Sequence, residues 1–406
     1  MNVCFLDPGF PSNQREFVRA LVSVGATVHG IGDRPVEWLD DELKGWLRSY
    51  RQVGSTVDEG AIEWAVREAQ GEVWIDRLET VIEAHQLPAA HVRERLGIPG
   101  TSSRTAWLCR DKPAMKEAMR AAGVRCAASA AISSENAAVD FASEVGYPVI
   151  LKPRDAAGAA GTWRADDEGE LRSAARASGV TDGAAAAIEE FVEGHEGFHD
   201  TLCVDGEIRH EFVSHYYPNV LEAMRTRWIS PQIVSTNRVD GPGYDDVKEM
   251  GRRAIEVLGI HTSATHMEWF RTPKGLSSSE IGCRPPGVGQ WDSYCAGNEM
   301  DLYREWALAV CHHRTEATAS RRYAAGIIAL RPEGDGRIAG YENADAVFRE
   351  YGDLVVGHHF PEPGTPTQGV EAGYMANAWL RMRHPDHDAL RGILDDIGRR
   401  VRVRVH

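Results

Sequence analysis

The chain has 406 residues, enough for two or three domains at roughly 100–200 residues each. With 43% hydrophobic and 26% charged residues it has the make-up of a globular protein with a large core, and no run approaches the roughly 20 apolar residues of a membrane span. A net charge of −15 argues against a nucleic-acid partner, which would want a basic face, but not against an anionic ligand, because a local group of Lys, Arg and metal overrides the global sign.

The opening run VCFLD reads as a buried strand, PGFPSNQ as a turn and REFVRALVSVG as a helix, with Phe17, Leu21 and Val24 at helical spacing. Gly25 ends that helix and ATVHGIGD reads as a second strand, so the start is a β-α-β unit and a parallel sheet is expected. The pattern continues through a helix over 59–70 and the strand-like EVWID, and the GIPG segment breaks the chain after AHVRERL. A helix is expected over Asp111–Ala122, then the strand YPVILKP, the loop AAGAAGT and a return strand from TWRA. A helix over 168–178, the strand AAIEEFV, hairpin-like strands over 199–217 and a helix over 244–258 follow. Strands near 264–271 and 277–284 and a helix over 299–313 come next. Beyond them lie the strand signals AAGIIAL, LVVGHHF and GYMANAWLRM and a helix from about His387.

The opening MNVCFLDPGF carries Asp7 and no basic run, so no secretory signal is expected and the location is taken as cytoplasmic. The seven cysteines (Cys4, Cys109, Cys126, Cys203, Cys283, Cys295 and Cys311) are odd in number and lack CxxC spacing, which favours free thiols over disulfides or a zinc site.

Four segments carry candidate chemistry. In THMEWFRTPKGLSSSEIGCR, TPKG is a turn between runs of period two, so a hairpin centred near Lys274 sets Glu268 almost opposite Glu280. His266, Glu268 and Phe270 then share one face, and Glu280, Gly282 and Arg284 the neighbouring one. Like charges placed across strands destabilise a sheet unless a divalent cation lies between them. Taken alone, the pair is equally readable as two solvated surface glutamates. In VILKPRDAAGAAGTW, Lys152 at a strand end followed by Gly158 and Gly161 suits phosphate, although the GK[ST] of a Walker loop is missing. In IEEFVEGHE, Glu189 and Glu196 flank Phe191 and Val192 at a strand end. Lys112 in CRDKPAMKEAM stands near a helix start.

In this order the segments resemble the ATP-grasp superfamily, nearest its biotin-carboxylase-like and carboxylate–amine (L-amino-acid) ligase branches. The likeness covers most of the chain. It implies a three-part α/β architecture: an N-terminal parallel α/β domain over 1–105, a two-lobed ATP-binding domain over 106–314 with its small lobe near 125–190, and a mixed C-terminal domain over 315–406. It implies Lys112 and Lys152 on the ATP phosphates and the loop 156–161 (Ala157, Gly158, Gly161) closing over them. Glu189 and the backbone of Phe191 and Val192 would hold adenine, Glu196 the ribose, and Glu268 and Glu280 Mg²⁺ or Mn²⁺. Lys152 and Arg284 would act on the transferring phosphoryl group. The family commonly has Asn where Gly282 stands, so one metal ligand is lost or replaced, and EIGCRPPG is similar to the EIGxRPPG form of amino-acid ligases. Alternation turns Cys283 away from the metal face.

The expected activity is an ATP-dependent ligase that activates a small carboxylate as an acyl phosphate and joins it to an amine, releasing ADP and phosphate. The alternatives are a biotin-carboxylase-like carboxylase and a degenerate ATP-binding regulatory protein. A dinucleotide enzyme ranks last, because PGFPSNQ lacks GxGxxG. Substrate contacts are expected at Arg227, as a carboxylate clamp, and at His266, Asp292 and Tyr294. The partners are a small carboxylate and an amine, with neither nucleic acid nor membrane, and a homodimer is left open.

Overall fold

The computed structural model describes residues 1–153 and 161–406. Ala157 and Gly158 of the expected phosphate loop lie outside the described residues; Gly161 is described, with a φ of 65° that favours glycine.

The N-terminal unit is β1 (Asn2–Leu6), α1 (Gln14–Ser23), β2 (Thr27–Gly32), α2 (Asp41–Trp46), β3 (Leu47–Gln52), α3 (Glu59–Gln70), β4 (Arg77–Glu79) and α4 (Gln86–Leu96). Its four strands are parallel in the order β3-β2-β1-β4, as the opening β-α-β unit requires. The strand-like EVWID is not the strand: β4 begins at Arg77, and the run before it carries Trp74, which is exposed. Gly97 at φ 65° ends α4.

After α5 (Ser103–Leu108) comes α6 (Lys112–Ala121), whose Asp111 cap accepts from Ala114 N at 3.0 Å. A small antiparallel sheet in the order β5-β8-β6-β7 follows. It is made of β5 (Ser129–Ile132), β6 (Val149–Pro153), β7 (Trp163–Ala165) and β8 (Ala186–Glu190), covered by α7 (Glu135–Val145) and α8 (Glu168–Ala177).

The large sheet uses β9 (His195–Val204), β10 (Glu207–Tyr217), β11 (Gln232–Ser235), β12 (Ser263–Thr272) and β13 (Gly275–Gly282). Between these run α9 (Val220–Ala223) and α10 (Asp245–Leu258), and α11 (Gln290–Asn298) and α12 (Leu302–His312) come after them. Three later strands complete it: β14 (Ala324–Leu330), β16 (Val355–His359) and β17 (Ala378–His384). The order is β13-β12-β9-β10-β11-β14-β17-β16, so the strands after residue 315 continue the same sheet. β15 (Ile338–Glu342) pairs with β18 (Arg402–Val405) beside α13 (Ala344–Tyr351) and α14 (His387–Arg400).

An aromatic core ties the N-terminal unit to the large sheet's helices. Phe17 of α1 lies 5.1 Å from Trp291, 4.9 Å from Tyr303 and 5.1 Å from Trp306 between ring centroids. That packing fixes where the turn Glu83–His85, after β4, meets the end of β13. Among the described residues, no helix is long and apolar enough to cross a membrane.

Candidate functional site

A cleft of about 550 Å³ lies between the small sheet and the large one. Lysines line one side, the segment Glu189–Val192 crosses the back, and Glu196, Glu268 and Glu280 form the floor.

The lysines come from local geometry. Capping α6 at Asp111 puts Lys112 and Lys116 one turn apart, so both face the cleft. On β6, Lys152 pairs with Ala187 and Ile150 with Glu189, which sets Lys152 and Glu189 diagonally on one face of the small sheet. Glu189 Oε2 lies 2.8 Å from both Lys116 Nζ and Lys152 Nζ. Burial opposes charge on this carboxylate, but the two ammoniums outweigh it and pull Glu189 down to about 2. Burial likewise opposes charge on Lys152, and Glu189, Glu280 and Glu268 outweigh it and raise its pKa. Lys116 goes the other way, lowered by burial. In this structure the Glu189 side chain therefore serves the lysines rather than an adenine. Phe191 N–H is also spent, on Pro148 O at 3.2 Å, whereas Val192 N–H has no partner among the described residues.

The acidic floor comes from the hairpin. Glu268 and Glu280 are Cα partners across β12 and β13, with a register shift just after Glu268. Lys112 Nζ is 3.4 Å from Glu280. Burial opposes charge on Glu268, and His266, Lys152 and Arg284 hold it below the usual carboxylate range. Glu196 enters from β9, opposite Phe270, and its Oε2 accepts from Val220 N at 2.7 Å. Burial first, then Glu268, pushes Glu196 up to about 8. The Glu268–Glu280 pair fits a hard divalent cation, which takes one or two carboxylates and completes its shell with phosphate and water. No group of three His, Cys, Asp or Glu among the described residues is arranged to hold a metal alone.

Arg284 stands beside the cleft at the junction with the N-terminal unit. Glu83 accepts from its Nε at 2.7 Å and lies 2.6 Å from its Nη2. Arg110 is 3.0 Å from the same carboxylate. A Cβ on Gly282 would meet Arg284 Cγ at 3.5 Å and Glu83 Oε2 at 4.0 Å, so the position of the usual Asn looks onto this pair. Cys283 is buried, as alternation requires.

Of the expected substrate residues, His266 and Tyr294 meet at Asp200, whereas Arg227 and Asp292 each pair elsewhere. Arg227 pairs with Asp335 at 2.5 Å, while its neighbours Arg225 and Thr226 line the cleft. Asp292 accepts from Tyr303 OH at 2.7 Å and pairs with Arg381 at 3.1 Å, so both of its partners belong to the protein itself. Tyr294 is fully buried, stacked 4.2 Å from Phe212 and hydrogen-bonded to Asp200. His266 Nδ1 is hydrogen-bonded to Asp200 at 2.7 Å, and Nε2 stands 3.6 Å from Glu268. Sequence reasoning missed Lys116, Glu83 and Asp200. Its i, i+4 spacing from Lys112 would have found Lys116; Glu83 and Asp200 are brought in by tertiary packing and carry no local signal.

Residues 111–196 match the family described as carbamoyl-phosphate synthase L chain, ATP binding domain. In three dimensions the chain is similar to the L-amino acid ligase from Bacillus licheniformis, with a TM-score of 0.78 at 16% identity over 100% of this chain and 98% of that one. The chain has the ATP-grasp fold. Among curated proteins, the chain is similar to an L-arginine-specific L-amino acid ligase of Bacillus subtilis, at 27% identity over 220 residues (53% of this chain, 52% of the relative). It is also similar to the alanine–anticapsin ligase of Bacillus subtilis strain 168, at 28% over 218 residues (48% and 44%). The match thus spans about half the length of these curated relatives.

Proposed function

We propose that the protein is an ATP-dependent carboxylate–amine ligase acting on a small carboxylate, an amino acid. The observation that carries the reading is the register of Glu268 opposite Glu280 on the floor of a cleft walled by Lys112, Lys116 and Lys152. Two facing carboxylates beneath three ammoniums suit a polyphosphate with its divalent cation and suit little else. The ligase relatives support the same chemistry.

Glu268 and Glu280 would hold the divalent cation, which would supply positive charge against the phosphates during transfer. The protein's own groups do the rest. Lys112 and Lys152 hold phosphate oxygens, and Glu189 keeps Lys152 and Lys116 fixed in a buried position. The Val192 N–H reads the adenine edge, and Glu196 faces the ribose hydroxyls. Arg284, held by Glu83 and donating from Nη1 to Pro285 O, offers its remaining N–H groups to the reacting carboxylate. The γ-phosphoryl group then passes to the carboxylate, giving ADP and an acyl phosphate. The amine attacks the acyl carbon, and phosphate leaves.

A screen of amino acids for Mg²⁺-dependent ADP release tests this. With the right carboxylate and no amine, ADP release is expected to be slow, and hydroxylamine should accelerate it and trap a hydroxamate. Release of AMP and pyrophosphate would instead mark an adenylate and end the proposal.

A further inference from the structure

A line of buried polar groups runs through the large sheet behind the acidic floor. His266 is the Cα partner of Asp200 on β9 and of Gly282 on β13, so the three stand in one row across three strands. Asp200 is 1% exposed, and both of its oxygens are taken: Oδ1 by His266 Nδ1 at 2.7 Å and Oδ2 by Tyr294 OH. Tyr294 OH is in turn 3.1 Å from Ser214 Oγ, and Gln290 Nε2 donates to Ser214 at 3.4 Å. A buried carboxylate with neither oxygen toward the cleft binds no ligand there; it orients the imidazole. With Nδ1 fixed, His266 turns Nε2 to Glu268 Oε1, 3.6 Å away, an ion-pair distance rather than a hydrogen bond.

We propose that His266 is a positioning residue for Glu268, with Asp200 and Tyr294 holding the ring so that one carboxylate oxygen is anchored and the other is left for the divalent cation. Gly282 makes the device necessary. In this chain the third position of the metal face carries no oxygen, so the site depends on how well Glu268 and Glu280 are oriented. Groups that orient a metal ligand typically account for 10–100-fold in metal affinity. The row also links the metal carboxylate to α11, which follows the RPPG loop. The inference rests on the reading of Glu268 and Glu280 as the cation's ligands.

The test is Mn²⁺ binding followed by electron paramagnetic resonance, with a non-hydrolysable ATP analogue present. His266→Asn keeps a donor for Asp200 but cannot reach Glu268. It should weaken Mn²⁺ about 10–100-fold while analogue binding in excess EDTA stays within about twofold. Tyr294→Phe keeps the stack on Phe212 and frees one Asp200 oxygen; it should weaken Mn²⁺ several-fold without changing the melting temperature by more than a few degrees. Unchanged Mn²⁺ affinity in a folded His266→Asn protein overturns the inference, as does an equal loss of analogue binding in EDTA, which marks a merely structural role. If His266→Asn does not fold, Tyr294→Phe decides by the same criteria. Glu280→Gln separates this failure from that of the underlying reading: Mn²⁺ retained there at full affinity removes the metal site itself.

Discussion

Lys116 and Glu189 form an ion pair of 2.8 Å whose side chains are 1% and 7% exposed, and Lys152 meets the same carboxylate oxygen from the small sheet at 2.8 Å. One buried carboxylate thus holds two ammoniums in place and leaves a net positive charge beside the cleft. The other Glu189 oxygen has no partner among the described residues.

Removing that carboxylate's charge should therefore be costly. Glu189→Gln leaves two buried ammoniums side by side, and breaking a buried ionic group by removing one partner costs about 3–5 kcal/mol. Urea unfolding at neutral pH checks it. The pH dependence has a definite sign. The folded carboxylate sits at about 2, below its ordinary 4.5, so its contribution is present above 4.5 and is lost as pH falls through about 2. The gap between the native protein and the variant should close in acid; a gap that persists below pH 2 would mean that the glutamate stabilises by packing alone.

Glu280→Gln keeps the size of the residue and removes a charge from the metal pair. Turnover of ATP should fall by at least about 100-fold, in the range seen when one preorganised group is lost from a charge-stabilising site. The melting temperature should move by no more than a few degrees. Near-normal turnover at saturating Mg²⁺ would take Glu280 out of the metal site.

Much of this site could be read along the chain, and the part that could not has a physical reason. The facing of Glu268 and Glu280 follows from one turn, TPKG, and a period of two, both local. Lys152 and Glu189 lie on adjacent strands, and their strand signals were clear, but their mutual contact depends on β6 pairing with β8 rather than β5. The Arg284–Glu83 contact joins residues 201 apart and is set by how α1 stacks on α11 and α12. The continuation of the large sheet into β14, β17 and β16 is also a matter of pairing order, which strand propensity does not carry. Arg227, expected as a substrate clamp, has a partner that its local sequence does not announce: Asp335, 108 residues along the chain.

Arg227→Ala should accordingly do little. An exposed pair of this kind contributes about 0–1 kcal/mol. The KM for each substrate should stay within about twofold of the native value. A tenfold rise in the KM of one substrate alone would return Arg227 to the site.

Glu196 sets a second pH dependence, of opposite sign to that of Glu189. Burial and the neighbouring Glu268 raise its folded value to about 8, above the ordinary 4.5. Between these values the folded state holds a proton that the unfolded state has released, so stability falls as pH rises from about 4.5 through about 8. In metal-free protein, Glu196→Gln should flatten this part of the profile, read as melting temperature against pH in EDTA. A decline of equal slope in the variant would assign the effect to another group.

The last prediction concerns Arg284 and the residue that holds it. Glu83 takes the Nε and Nη2 edge of the guanidinium, so the fork is oriented before any substrate arrives. Burial opposes charge on Glu83, and Arg284, Arg110 and Lys112 outweigh it and keep it below the usual carboxylate range, so the holding group stays ionised. Arg284→Lys replaces a planar fork by a point charge that cannot engage Glu83 and a reacting carboxylate in the same plane. Hydroxamate yield in the trapping assay should fall about 100-fold, while nucleotide binding changes little. Glu83→Gln keeps the shape of the partner but loosens the hold, because a neutral amide offers one acceptor oxygen in place of two charged ones. Its hydroxamate yield should fall less, by about tenfold, and combining it with Arg284→Lys should add little, since both changes act on one unit. Full additivity of the two losses would show that Glu83 acts through something other than Arg284, and a normal yield from Arg284→Lys would remove Arg284 from the transfer step.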